Sequence, residues 1–234
     1  MNLTPDQIIV WQWGAFDLNA TLVFTWLVMA FLAIFSGWVT HKLSPSTQIS
    51  RGQNLLEVLV LGIRNQIREV SEQEPDPYLP FVGTLFIFIA VSNILSVIPG
   101  YQPPTGSLST TAALAICVFF AVPLYGIGKQ GLRGYLKQYL EPNPIMLPFN
   151  IFGEFSRILA LAVRLFGNVM SGTTIAGILL SVVPLFFPAV MQVMGLLTGL
   201  IQAYIFAILA MVYIAAATAV EQDKNEATGE LKNG

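Results

Sequence analysis

The sequence predicts an all-α integral membrane protein with five membrane helices and one amphipathic helix lying in the interface. Three observations predict it. Of 234 residues, 55% are hydrophobic and 10% charged, at a mean hydropathy of +0.69, whereas soluble domains carry about 25% charged residues. So few charges cannot cover a water-facing surface, and lipid must be the solvent for most of the chain. Long charge-free runs supply the spans, and Lys and Arg collect on one side of them. One Cys and one His exclude a disulfide framework and a Cys/His metal site. A net charge of −2 gives no reason to expect nucleic acid as a partner.

Residues 1–17 contain no Lys or Arg, so they lack the positive region of a signal peptide and read as an extracytoplasmic segment. Leu18 to Thr40 follows as a charge-free run of 23 residues. About 20 residues at about 1.5 Å each cross the hydrocarbon, so this run is a span. Ser50 to Glu72 is different. Leu55, Leu56, Leu59, Ile63, Ile67 and Val70 recur at helical spacing, with Arg51, Glu57, Arg64 and Arg68 on the remaining circumference. Ser50 with Gln53 has the form of a capping box. Two readings stand, an interfacial helix and a connector packed on protein, and they are compatible.

Pro77 to Gly128 is charge-free over 52 residues, too long for one span. The helix stoppers Pro99-Gly100-Tyr101-Gln102-Pro103-Pro104-Thr105-Gly106 divide it into spans near 78–98 and 107–127. After a polar segment, Lys129 to Asn143, apolar sequence continues to Val220, broken around Pro184 and Pro188. The last two helices, near 148–183 and 188–220, have 36 and 33 residues. At about 50 Å they exceed the hydrocarbon thickness and must tilt strongly. The tail, 221–234, reads as a solvated end.

Lys42, Arg51, Arg64 and Arg68 follow span one; Lys129, Arg133 and Lys137 follow span three; Lys224 and Lys232 follow span five. All nine lie on one side if the amino terminus is outside and the carboxyl terminus cytoplasmic. No internal repeat of the kind common in secondary transporters is visible.

Three charges stand where lipid should forbid them: Glu154, Arg157 and Arg164. An Arg at a helix centre costs about 2.5–3.5 kcal/mol on insertion scales, so such residues mark function. Asn150, Glu154, Arg157, Arg164, Asn168 and Ser171 form one polar stripe. Glu154 and Arg157, three apart, are spaced to pair. That leaves Arg164 without a carboxylate, and a guanidinium cannot shed its charge by deprotonating. It must face water or an acid from another protein. Snorkelling to headgroups is the bland alternative, disfavoured by its place about 16 residues into the helix. For Glu154 and Arg157 a structural ion pair and a functional role are equally compatible with the pattern.

On the last helix, Thr198 and Gln202 are one turn apart, and Gly195 with Gly199 permits close helix approach. Gln202, an amide at mid-helix, must find partners, and Arg164 is a candidate neighbour. Asn93, Ser96, Ser107, Ser109, Thr111, Ser171, Thr173 and Thr198 are neutral polar residues in or beside the spans. Singly each reads as a satisfied helix hydroxyl or amide. Together they are candidates to line an aqueous inlet that ends near Arg164.

At this point the chain resembles the a subunits of F-type ATP synthases. Ala160-Leu161-Ala162-Val163-Arg164-Leu165-Phe166-Gly167-Asn168 is similar to the family's signature around its essential arginine. Ile201-Gln202-Ala203-Tyr204-Ile205-Phe206 is similar to its last-helix segment, Ser92-Asn93-Ile94-Leu95-Ser96-Val97-Ile98-Pro99 to a third landmark, and Glu154-Phe155-Ser156-Arg157 to a less specific fourth. The resemblance implies a non-catalytic stator. Two long tilted helices would form a hairpin against a ring of c subunits, with peripheral-stalk b subunits and the rest of the F1Fo complex as partners. The membrane would be a bacterial or archaeal plasma membrane. Arg164 would separate two ion half-channels, supported by Asn168 and Gln202. No cofactor is implied; the transported ion is H+ or Na+.

The chain departs from that pattern at four places. A frequent Glu nine residues after the arginine is Thr173, a His or Glu seven before the glutamine is Gly195, and common Asp positions near Ser96 and Ser107 hold hydroxyls. Hydroxyl and amide oxygens suit a hydrated sodium ion, as in the sodium-translocating N-type subgroup; water chains carrying protons are the competing account. A stand-alone permease binding an anionic substrate through Arg164 is the alternative function. A non-translocating membrane scaffold is a third.

Overall fold

A backbone in lipid has to satisfy its own hydrogen bonds, which makes each long apolar run a helix. The computed structural model describes residues 9–13, 16–40, 51–98, 100–140, 147–182 and 187–218. The elements are β1 (Ile9–Trp13), β2 (Phe16–Asn19), α1 (Ala20–Thr40), α2 (Arg51–Ser71), α3 (Leu79–Leu95), a 3-10 turn (Pro104–Gly106), α4 (Leu108–Leu140), α5 (Leu147–Val182) and α6 (Phe187–Thr218). The chain is thus an all-α membrane protein apart from the short β1–β2 hairpin, which sequence periodicity did not indicate. The hairpin is antiparallel, pairing Trp11 with Leu18, Gln12 with Asp17 and Trp13 with Phe16. Of the expected break at 184–188, residues 184–186 lie outside the described residues and 187–188 open α6, and the tail at 221–234 also lies outside them.

By length and composition α1, α4, α5 and α6 are each able to cross a membrane. α3 is shorter, with 17 residues, about 25 Å of α-helix. It continues as 3-10-type turns: the amides of Ser96, Val97 and Ile98 donate to the carbonyls of Asn93, Ile94 and Leu95 at 3.2, 3.3 and 3.0 Å. Three residues at about 2 Å each bring the apolar rod to about 31 Å, the thickness of the hydrocarbon.

α4 is longer than its predicted span because the helix resumes beyond it. Gly131, at φ 71 and ψ 162, breaks the helical path. Past this bend the chain turns back, and a Cβ added at Gly126 would lie 2.7 Å from the Tyr135 ring. The described part of the polar segment after span three, residues 129–140, is therefore helical, with Tyr135 buried.

α2 ends in a left-handed cap. Glu72 has φ 54, and its amide donates to the Arg68 carbonyl at 2.9 Å. Arg64 pairs with Asp76 at 2.9 Å across the following turn. Inside that turn buried Gln73 collects three elements. Its Oε1 accepts from Tyr78 Oη at 2.9 Å and Lys129 Nζ at 2.6 Å, and its Nε2 donates to Thr218 Oγ1 at 3.2 Å.

α6 forms the centre of the bundle. Ala203, Phe206, Ala207, Ala210, Met211, Ile214 and Ala217 are buried at spacings of three and four. α6 packs against α2, α3, α4 and α5. α1 sits at the periphery and exposes Trp26, Leu27, Ile34 and Trp38. In water that face would be unfavourable; in lipid it is the expected outer surface.

Candidate functional site

α5 presents the polar stripe because its apolar positions fix its rotation. Leu161 and Leu165, one turn apart, are fully buried in the core together with Ala162. One residue is about 100° of turn, so Arg164 cannot face the core that holds Leu165. It is exposed. Among the described residues Arg164 forms no ion pair or hydrogen bond.

Asn168, one turn further on, is not bonded to Arg164. Its Nδ2 donates to the Thr198 carbonyl of α6 at 3.2 Å. That contact sets the register of the antiparallel pair. Four residues back along α5 and four forward along α6, the same level is occupied by Arg164 and Gln202. Gln202 is 6% exposed, and its Nε2 is buried with no hydrogen-bond partner. A buried orphan amide costs about 1–3 kcal/mol. Nothing bonds Gln202 to Arg164, so the expected direct contact is replaced by two groups at one level, both with unused donors.

The stripe's other charged members lie towards the start of α5. The Arg157 guanidinium sits over the Tyr213 ring of α6, 5.4 Å from its centroid, a cation–π contact. Tyr213 lies one turn beyond the level of Arg157, the direction in which a helical side chain leans, towards its own N-terminus. Glu154, Arg157 and Tyr213 together line a small cavity closed by Val118, Phe119 and Val122 of α4.

The polar residues proposed as channel lining separate into two groups. Asn93 is buried as a bridge: Nδ2 donates to the Gly199 carbonyl at 2.9 Å, and Oδ1 accepts from Thr105 Oγ1 at 3.2 Å. Gly199 is required for this, since a Cβ there would sit 2.9 Å from Asn93 Cγ, whereas Gly195 has open space beside it. Ser107 is buried, with φ −101 and ψ 134, and its carbonyl accepts from Thr111 N at 3.1 Å, making it the N-cap of α4. Its hydroxyl meets that of Ser109 at 2.7 Å. The Thr111 hydroxyl bonds the Leu108 carbonyl at 3.1 Å, and the Ser96 hydroxyl bonds the Asn93 carbonyl at 2.6 Å.

Ser171, Thr173 and Thr198 are exposed on α5 and α6, like Arg164. Each hydroxyl donates back into its own helix: Ser171 to Asn168 O at 3.1 Å, Thr173 to Met170 O at 3.0 Å and Thr198 to Met194 O at 3.0 Å. Each oxygen, having donated its proton, keeps acceptor capacity. Gln192 escaped the sequence reading. Its Nε2 donates to the carbonyls of Ser96 and Val97 at 3.3 and 3.2 Å. The signal was available, an amide in an apolar helix needing partners.

A protein-family model described as ATP synthase A chain matches residues 22–215. The chain belongs to the ATP synthase A chain family. It is 75% identical over 234 residues to ATP synthase subunit a 2 of Acaryochloris marina, covering 100% of both chains. It is 62% identical over 226 residues to ATP synthase subunit a of Albidiferax ferrireducens, with 97% and 98% of the two chains covered. A third relative, ATP synthase subunit a 1 of Chlorobaculum parvum, is 61% identical over 218 residues, 93% of this chain and 96% of that one. As a member of the ATP synthase A chain family the chain sets its arginine in a multi-pass membrane bundle, and the matched region contains every residue of the polar stripe.

Proposed function

We propose that the chain is the a subunit of the Fo sector of a rotary ATP synthase, forming two ion half-channels against a ring of c subunits. The observation that carries this is Arg164, exposed on an apolar helix and without an ionic partner among the described residues. A guanidinium in low dielectric attracts a carboxylate, lowers its pKa and displaces the proton or cation it carries. Its fixed charge also repels free cations, which stops ions passing directly between half-channels. The missing counter-charge comes from the ring, one carboxylate at a time. Asn168, donating to the Thr198 carbonyl, holds α5 and α6 in the register that presents Arg164, and the Gln202 amide at the same level keeps its donor free. Arg157 and Glu154 brace the other end of the stripe.

The b subunits of a peripheral stalk and the remainder of F1Fo complete the assembly, in a bacterial or archaeal plasma membrane, amino terminus outside and carboxyl terminus cytoplasmic. Replacing Arg164 with Ala tests the reading. ATP-driven ion pumping in vesicles is expected to vanish while soluble ATP hydrolysis persists; retained pumping would overturn it. Solute uptake by the purified chain alone would favour a permease instead.

For the ion we propose Na+, supported by neutral oxygens at Thr173, Ser96 and Ser107 where relatives of the type described above carry acids. A hard cation takes such oxygens and water. Millimolar Na+ is then expected to stimulate holoenzyme hydrolysis at neutral pH and protect the ring from carbodiimide. Hydrolysis indifferent to Na+ would assign the protein to protons.

A further inference from the structure

A cavity of about 440 Å³ lies between α2, α3 and α6, walled by Leu55, Leu59, Gly62, Phe86, Tyr204 and Ile208 among others. It is apart from the polar stripe. Except for the Gln66 amide and the Tyr204 hydroxyl, every side chain around it is apolar. Gln66 turns to Glu69, donating at 3.5 Å. A bound water needs about two to four polar partners, so this space does not hold water stably. Where a Cβ on Gly62 would stand there is nothing within 4 Å. Leu55 at the edge is 63% exposed and Tyr204 46%. The groove therefore opens onto the surface that this membrane protein presents to lipid.

We propose that the groove holds one acyl chain of a membrane lipid, which joins the amphipathic helix α2 to α3 and α6. Size selects the occupant. An apolar cavity of about 150 Å³ holds one six-carbon ring. A space of 440 Å³ takes about three times as many carbons, the content of one lipid tail. A helix about 10 Å across fills about 400 Å³ in a single turn, so a partner helix would enter by no more than one turn. The groove is also continuous with the lipid-facing surface, so a tail enters without leaving hydrocarbon. This inference rests on the membrane location of the chain and not on its role in ion transport.

The test uses the intact complex purified from membranes that contain a phosphatidylcholine with a photoactivatable diazirine near the middle of one tail. After exhaustive detergent exchange removes loosely held lipid, illumination and peptide mass spectrometry map the label. Retained label on Leu59, Gly62 and Phe86 is expected. Gly62→Phe, whose ring occupies the groove, is expected to lose it. Should that variant not assemble, the unaltered protein's map decides alone. Groove residues left unlabelled after exchange would overturn the proposal. So would a photo-crosslinking phenylalanine at position 59 that captures another subunit in place of lipid.

Discussion

Asn93 and Gly199 show how a single missing side chain sets the spacing of two helices. The Asn93 amide fills the place where a Cβ on Gly199 would be and ties down the carbonyl below it. Gly199→Ala is expected to destabilise the extracted protein by about 1–3 kcal/mol, the usual cost of overpacking, read as a lowered Tm. Gly195→Ala, beside open space, is expected to leave Tm unchanged. Tyr101, in the loop between α3 and α4, gives a pH prediction. Burial pushes its phenol up to about 12 from 10, against a smaller opposing effect of the Ser92 hydroxyl. A raised folded value favours the protonated phenol, so its contribution is complete below pH 10 and lost towards pH 12. Tyr101→Phe is expected to flatten the loss of stability across that interval in alkaline melts. At this scale the sequence betrayed residues that violate the apolar rule, Arg164 and Gln202 above all. Which partner each takes depended on tertiary register, and so Asn168 was assigned to Arg164 when it bonds Thr198.

Two backbone positions decide how the elements begin and end. Glu72 caps α2 at φ 54, a conformation costing about 1–2 kcal/mol for a residue with a side chain. Glu72→Gly is expected to raise stability by about 1 kcal/mol in chemical denaturation of the detergent-solubilised protein. Gly131 at φ 71 and ψ 162 is in territory reserved for glycine, and Gly131→Ala is expected to cost about 1–3 kcal/mol in the same assay. Element positions were legible: α1, α2, α5 and α6 lie within two residues of the predicted runs. Hydrophobic runs bounded by Pro and charge carry that information directly. The bend in α4 and the β1–β2 hairpin were not legible. One follows from Tyr135 packing on Gly126, and the other from cross-strand pairing, and neither leaves a periodic trace.

Across the whole molecule, fold class followed from composition, and family from the arginine and glutamine segments; the ion did not. The neutral oxygens of Thr173, Ser96 and Ser107 act only together with the ring carboxylate they face, so the ion is a property of the assembly and is read from its response to Na+. The fastening of α6 at two distant points has a mechanical consequence. α6 is fastened at Gly199 by Asn93 and at Thr218 by Gln73, two points about 28 Å apart along its axis. A rod held at two separated points resists torque. α5 carries the guanidinium and is tied to that rod on both sides of it, through Asn168 and through Arg157 over the Tyr213 ring. Under a turning load the charge is then held between two fastenings to a rail that does not twist.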